Sequence, residues 1–258
     1  MKIEKRIKKL TEFALDIVSE TENITVKYFK KSIKPKFKQN KTPVTEADFK
    51  CEDYLIKKIR KKFPDHSILS EERGEIKNDS GFKWIIDPVD GTRNFLRGYP
   101  FWGTLLALEY DNEVVLGIIF APAMNITIWG AKGQGSFNKK KRLHVSKISS
   151  LDKSYLLHGG LGEILKQGYK ENFFKLINKC AYSRGYGDFL GHMYVATGKA
   201  EIMVDPHVAP YDIASAKIII EEAGGKLTDI YGNDTIYNET ALATNGKLHD
   251  EVLRILHG

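Results

Sequence analysis

Cysteine is nearly absent: Cys51 and Cys180 are the only two in 258 residues, with no C-x-x-C spacing, which excludes a disulfide-stapled miniprotein and leaves both thiols expected to be reduced. Long apolar runs are missing as well. The longest nearly uncharged one, Val114 to Met124, is broken by Gly117 and Pro122 and falls short of the roughly 18 residues that span a bilayer, so no transmembrane helix is expected. Met1 to Arg6 is charged and periodic rather than a basic tip before an apolar run, and the chain reads as cytoplasmic. No G-x-x-x-x-G-K-[ST], H-E-x-x-H or G-x-S-x-G is present, which removes support for a P-loop NTPase, a zincin or an α/β-hydrolase. The run from Gly185 to Gly191 misses the dinucleotide-binding spacing by one residue and follows no convincing strand pattern. Seven histidines are scattered without metal-ligand spacing, and there is no internal repeat or low-complexity tract.

What is present is globular in balance, at 42% apolar and 28% charged residues, and long enough for one large domain or two intimately packed lobes. The formal charge of +7 is lopsided: residues 1–62 hold 18 Lys and Arg against 9 Asp and Glu, and the remainder is slightly acidic. The lysines from Lys27 to Lys41 interleave with few aromatics, which reads as a solvated face rather than a nucleic-acid groove, and such a rim would also attract an anionic substrate. Lys139 to Arg142, between a Gly-rich turn and Leu143-His144-Val145, reads as a hairpin tip.

Ile3, Ile7, Leu10, Ala14, Ile17, Ile24 and Tyr28 recur at helical spacing and predict one long amphipathic helix over residues 2–30. Two prolines among lysines make Ser32 to Pro43 a loop, after which Thr45-x-x-Asp48 opens a helix running to Lys62. Strand patterns follow at Ser67–Leu69, Lys83–Ile86, Thr104–Tyr110, Val114–Phe120 and Ile126–Trp129, with a tight turn at Asp111-Asn112, and predict an antiparallel sheet. The second half predicts helices near Glu171–Cys180, Asp188–Thr197 and Tyr211–Ala223, a strand at Glu201–Val204, further strands after Gly224-Gly225 and a C-terminal helix from Leu248. Two stacked αβ lobes, about 1–146 and 147–258, in a single α+β domain over 1–258, account for this order.

The chemistry-bearing residues are acidic. Trp84-Ile85-Ile86-Asp87-Pro88-Val89-Asp90-Gly91-Thr92-Arg93-Asn94-Phe95 places an apolar strand directly before two carboxylates three apart, with Pro88 between them and Gly91 free to take unusual dihedrals. Carboxylates leaving a strand end can hold Mg²⁺ and leave positions open for a phosphate, with Gly91 and Thr92 starting a turn or helix whose N–H groups face the anion. An Asx turn capping a helix is the alternative reading of this segment alone. An EF-hand is excluded by the spacing of the aspartates.

Further acids stand elsewhere in the chain: Asp48 opening a helix, Glu71-Glu72 after a short strand, and Asp212 in Pro210-Tyr211-Asp212-Ile213-Ala214 opening another helix. In this order, with Asp87-Pro88-x-Asp90-Gly91-Thr92 at the centre, these residues resemble the inositol monophosphatase family of Mg²⁺-dependent phosphatases over nearly the whole chain. The resemblance implies a layered αβαβα sandwich, homodimeric, with the active site between lobes. It assigns two or three Mg²⁺ ions to Glu71, Asp87, the Val89 carbonyl, Asp90 and Asp212, with Asp48 near a further ion. Thr92 and Glu71 would orient and deprotonate the attacking water. Tyr211 stands where the family usually has Trp, and Ser215 where a second Ala is common.

Gly91 to Trp102 and Ser183 to Phe189 look more like the histidinol-phosphate phosphatase branch than the inositol branch. Histidinol phosphate is therefore the expected substrate. Inositol phosphates come next, then fructose bisphosphate or a nucleotide bisphosphate, and an RNA-associated, non-catalytic regulator is the alternative from another class. Gly91 and Thr92 on the phosphate, with Arg184, Asp188 and Asp205 on the rest of the molecule, are the expected substrate contacts.

Overall fold

The computed structural model describes residues 2–29, 36–37 and 43–258. Most of the basic loop from Ser32 to Pro43 lies outside the described residues. The stretch predicted as one helix over 2–30 is two, α1 (Lys2–Ser19) and α2 (Glu22–Phe29). The break has a local cause. The Ser19 hydroxyl donates to the Asp16 carbonyl at 2.8 Å and the Thr21 hydroxyl to that of Val18 at 2.7 Å, so side chains take carbonyls that a continuing helix would use. After a two-residue ladder of β1 (Lys36–Phe37) and β2 (Pro43–Val44), α3 (Glu46–Lys62) starts where Thr45-x-x-Asp48 predicts. Thr45 Oγ1 accepts from Ala47 N, and Asp48 Oδ2 accepts from Thr45 N at 2.8 Å, closing a capping box.

The first sheet is built from β3 (Ser67–Ser70), β4 (Gly74–Ile76), β5 (Phe82–Asp90), β6 (Gly103–Tyr110), β7 (Glu113–Ala121), β8 (Ile126–Ala131), β9 (Gly135–Asn138) and β10 (Lys141–Arg142), in the order β10-β9-β8-β7-β6-β5-β3-β4. It is not wholly antiparallel as expected, because β3 runs parallel to β5. Asp111 and Asn112 do form the β6–β7 turn, at φ 49° and 65°. Lys139-Lys140 tip the β9–β10 hairpin, and Leu143–Val145 beyond it is not a strand.

In order after the six-residue α4 (Thr92–Arg97) and the first sheet come β11 (Tyr155–His158), α5 (Leu161–Ile164), α6 (Lys170–Lys179), β12 (Tyr182–Gly185), α7 (Asp188–Ala196), β13 (Ile202–Asp205), α8 (Pro210–Glu222), β14 (Lys226–Thr228), β15 (Ala241–Thr244) and α9 (His249–His257). The strands make a second, mixed sheet ordered β12-β11-β13-β15-β14. A strand therefore does precede the Gly185–Gly191 run: β12, at the sheet edge, parallel to β11.

Alternation along the strands assigns the layers. Trp84, Ile86, Leu106 and Leu108 bury one face of the first sheet against Ile7, Leu10 and Ile17 of α1 and Leu55 and Ile59 of α3. Ile85, Leu105 and Ile119 face the other way, onto Phe189 of α7 and Ile219 of α8, whose far side meets Met203 and Ala243 of the second sheet. Ile202, Val204 and Leu242 then cover Phe173 and Leu176 of α6 and Val252 and Leu256 of α9. The result is an αβαβα sandwich, with α7 and α8 as the middle layer. Contact there is tight: a Cβ at Gly117 of β7 would lie 2.4 Å from the Ser215 carbonyl of α8. Gly117→Ala is expected to cost about 1 to 3 kcal/mol by forcing the two layers apart, read as a lower Tm in a thermal melt.

Candidate active site

β5 ends in the acidic motif. Its register against β6 slips between Asp87 and Asp90, and the Pro88 carbonyl accepts from the Thr104 hydroxyl at 2.9 Å, so the strand end is bent and pinned rather than frayed. Asp87 Oδ1 accepts from Val89 N at 3.0 Å, so the Asx turn exists and coexists with a cluster. Asp90 Oδ2 accepts from Phe189 N at 2.6 Å, tying the strand end to α7 in the middle layer. Gly91 follows at φ 78°, where an added Cβ would lie 2.6 Å from the Phe101 carbonyl, so only glycine lets the chain turn here. Thr92 begins α4. Its hydroxyl donates to the Val89 carbonyl at 2.9 Å and lies 3.4 Å from Asp48 Oδ1.

α8 supplies Asp212 in its first turn, where Oδ2 accepts from Ala209 N at 2.7 Å. Ligand oxygens of Asp87, Asp90 and Asp212 lie within 4.8 Å of one another. Burial pushes all three acids up, and the strongest charge effects on Asp87 come from Glu71, Asp90, Asp212 and Asp48, every one acidic. Asp212 rises to about 7, despite the Ala209 N–H pulling it down, and buried Asp48 rises to about 6 against its two bonds from Thr45. Two buried carboxylates and the half-buried Asp212, repelling one another and offering hard oxygen donors only, suit a hard divalent cation.

Beside the cluster, next to Asp90 in the chain at Gly91 and Thr92, is a cleft of about 1040 Å³ that Glu71, Gly91, Thr92, Asp188 and Asp205 line. Asp188 has φ 55°, an uncommon backbone for a side-chain-bearing residue, and accepts from Asn94 Nδ2 at 2.9 Å, bridging α7 to α4. Asp188 is solvent-exposed as a residue, but desolvation of its carboxyl raises it to about 6, with Asp205 adding to the rise. Asp205 Oδ2 at the end of β13 lies 3.8 Å from Nε2 of the buried His192. Arg184 is not brought into the cleft: it is exposed on edge strand β12 and donates to the neighbouring Ser183 carbonyl at 2.7 Å. Arg93, His158, Glu163 and His207 line the cleft instead, none of them anticipated as a site residue. Arg93 lies one position beyond the D-P-x-D-G-T motif and carried the one signal that was available; the other three reach the cleft only through the tertiary fold.

A five-layer sandwich with an all-oxygen acidic cluster beside a cleft lined by further acids is the arrangement of a metal-dependent phosphatase. Residues 6–258 match the inositol monophosphatase family, and the chain belongs to it. It is 38% identical over 225 residues to a histidinol-phosphatase of Mycobacterium tuberculosis, covering 85% of this chain and 86% of that protein. It is 34% identical to a fructose-1,6-bisphosphatase/inositol-1-monophosphatase of Thermotoga maritima, covering 83% and 82%. Among solved structures, a Thermotoga maritima IMPase superposes with a TM-score of 0.86 at 29% identity, covering 95% of this chain and 96% of that one. Among the described residues no helix is long and apolar enough to cross a membrane.

Proposed function

We propose that this chain hydrolyses phosphate monoesters with Mg²⁺, and that histidinol phosphate is the monoester it serves. The observation that carries this is the Asp87–Asp90–Asp212 cluster beside a cleft that two more acids, Asp188 and Asp205, line. Glu71, Asp87, Asp90, Asp212 and the Val89 carbonyl would hold two or three Mg²⁺ ions, with Asp48 near a further ion. When bound, the ions neutralise the phosphoryl oxygens and lower the pKa of water. Thr92, with its hydroxyl fixed by the Val89 carbonyl, holds the attacking water and Glu71 takes its proton, and the backbone at Gly91-Thr92 faces the phosphate. Asp188 and Asp205 then meet the amine and imidazole of histidinol, where charge-assisted hydrogen bonds are worth about 1.5 to 3 kcal/mol, against less for the hydroxyls of a neutral inositol. The working assembly is a homodimer, which sedimentation would report.

The test is phosphate release with Mg²⁺ over histidinol phosphate, inositol 1-phosphate, fructose 1,6-bisphosphate and a nucleotide bisphosphate. Histidinol phosphate is expected to give the highest kcat/KM. Asp188→Asn and Asp205→Asn are each expected to raise its KM about tenfold, or about 1.4 kcal/mol, and to affect inositol 1-phosphate less. If inositol 1-phosphate is the better substrate and neither change discriminates, the substrate is an inositol phosphate, the reading that the Thermotoga relative's name supports. A salt-dependent RNA shift without any phosphate release would replace both with a regulator.

A further inference from the structure

Glu52 lies one helical turn along α3 from Asp48, on the same face, and is wholly buried. A carboxylate in that position costs several kcal/mol of desolvation unless its oxygens are bonded, and an apolar side chain would fill the space more cheaply. Its partners explain its presence. Oε1 accepts from Glu72 N at 2.9 Å and from Arg73 N at 3.3 Å, and Oε2 faces Arg73 Nε at 3.8 Å. Those amides belong to the three-residue turn Glu71-Glu72-Arg73 between β3 and β4, closed by Gly74 at φ 75°. At its inner end the turn is held to β5, since Glu71 N donates to the Ile86 carbonyl at 3.2 Å, one residue before Asp87. On its outer side, Arg73 forms two bonds to Asp53 of α3, at 3.0 and 2.9 Å. Glu71 is thus the first residue of a turn fixed from β5 on one side and from within α3 on the other.

We propose that Glu52 is a positioning residue for the reaction: by taking both turn amides it fixes the backbone that carries Glu71 and so aims that carboxylate at the Asp87–Asp90–Asp212 cluster. This rests on the phosphatase reading, in which Glu71 holds metal and accepts the water's proton. Glu52 touches neither substrate nor metal and acts through the turn. α3 consequently serves the site twice, through Asp48 beside Thr92 and through Glu52 beneath Glu71.

Three full-length variants test it. Glu52→Met keeps volume and removes the acceptor, Glu52→Gln keeps one acceptor oxygen, and Asp53→Ala removes only the exposed Arg73 pair. With Mg²⁺ and the wild-type enzyme's best monoester, Glu52→Met is expected to lower kcat about 10- to 100-fold with little change in KM, and to weaken Mg²⁺ binding in calorimetry about tenfold or more. Glu52→Gln should recover most of both, and Asp53→Ala should stay within about threefold of wild type. In the wild-type protein, which needs no variant to fold, the amides of Glu72 and Arg73 should exchange with deuterium as slowly as those of β3. Fast exchange at those two amides overturns the proposal. So does a folded Glu52→Met protein with wild-type kcat and Mg²⁺ affinity, or a Gln variant as impaired as Met. Absence of Mg²⁺-dependent phosphate release by the wild type would instead remove the phosphatase reading, while leaving the exchange result to judge the turn.

Discussion

In excess chelator the protein is expected to release no phosphate from any monoester, and added Mg²⁺ to restore full turnover, with Ca²⁺ a poor substitute. The reason is the donor set. Asp87, Asp90 and Asp212 converge within 4.8 Å, and Asp48 is buried beside them. A dianionic phosphate cannot join such a group without cations between. Mg²⁺ imposes a tight octahedral shell, whereas the larger, looser shell of Ca²⁺ does not fix the same arrangement. The metal-free protein should also carry a stability signature. Asp48 and Asp188 sit at about 6 and Asp212 at about 7, against 3.8 for a free aspartate. The folded state therefore keeps these protons longer than the unfolded state. Their contribution is fully present below about pH 4 and is lost as pH rises through 6 to 7, with the solvent-exposed Asp188 contributing least because water screens it. Thermal melts in chelator should fall across that window, and saturating Mg²⁺ should flatten the fall, adding about 2.7 kcal/mol at a hundredfold excess over Kd. Full turnover in chelator would sink the mechanism, and a metal-free Tm that rises from pH 4 to 7 would sink the electrostatic account.

Much of this site can be read from local pattern because its parts are local signals. Trp84-Ile85-Ile86 must be a buried strand, Pro88 must disturb its ladder and Gly91 end it, and two aspartates then have to emerge together. Thr45 and Asp48 announce their helix by reciprocal hydrogen bonds that need only four residues. What stays hidden is non-local. The pairing of β3 with β5 is parallel, and nothing in either strand's alternation encodes a partner's direction. β12, Tyr182–Gly185, is short, largely exposed and at a sheet edge, so it lacks the apolar alternation that marks a strand. Arg184, expected in the cleft, is exposed and does not line it, although Gly185, the next residue, does. Glu163 and His158 enter the cleft only when the second sheet stacks on α7, and Glu52 meets amides 20 and 21 residues away. The helix break at Glu20-Thr21 is hidden for the opposite reason: apolar periodicity runs straight across it, while two hydroxyls decide the outcome.

Asp90→Asn is expected to lower turnover at least about 100-fold while raising the Tm of the metal-free protein, a pairing that a merely structural residue would not give. Two carboxylates about 4 Å apart repel by about 4 kcal/mol at an effective dielectric of 20, and Asp90 faces Asp188, Asp212 and Glu71 at once. An amide removes that repulsion. Its oxygen can still accept from Phe189 N, so the tie between β5 and α7 survives and the fold should hold. Without the negative charge, however, the group is a weak partner for a hard cation, and the loss should appear in Mg²⁺ calorimetry as well as in rate. Asp87→Asn and Asp212→Asn should behave alike, because the first keeps an acceptor for Val89 N and the second one for Ala209 N. Thr92→Ala should differ from all three. It leaves the charges intact, so metal-free stability and Mg²⁺ affinity should change little, while kcat falls more than KM rises. If the Asp90→Asn protein folds and turns over near the wild-type rate, the catalytic centre is elsewhere. If it loses activity but its metal-free Tm also drops, then repulsion is not what the cations relieve, and Asp90 serves chiefly to hold the strand end against α7.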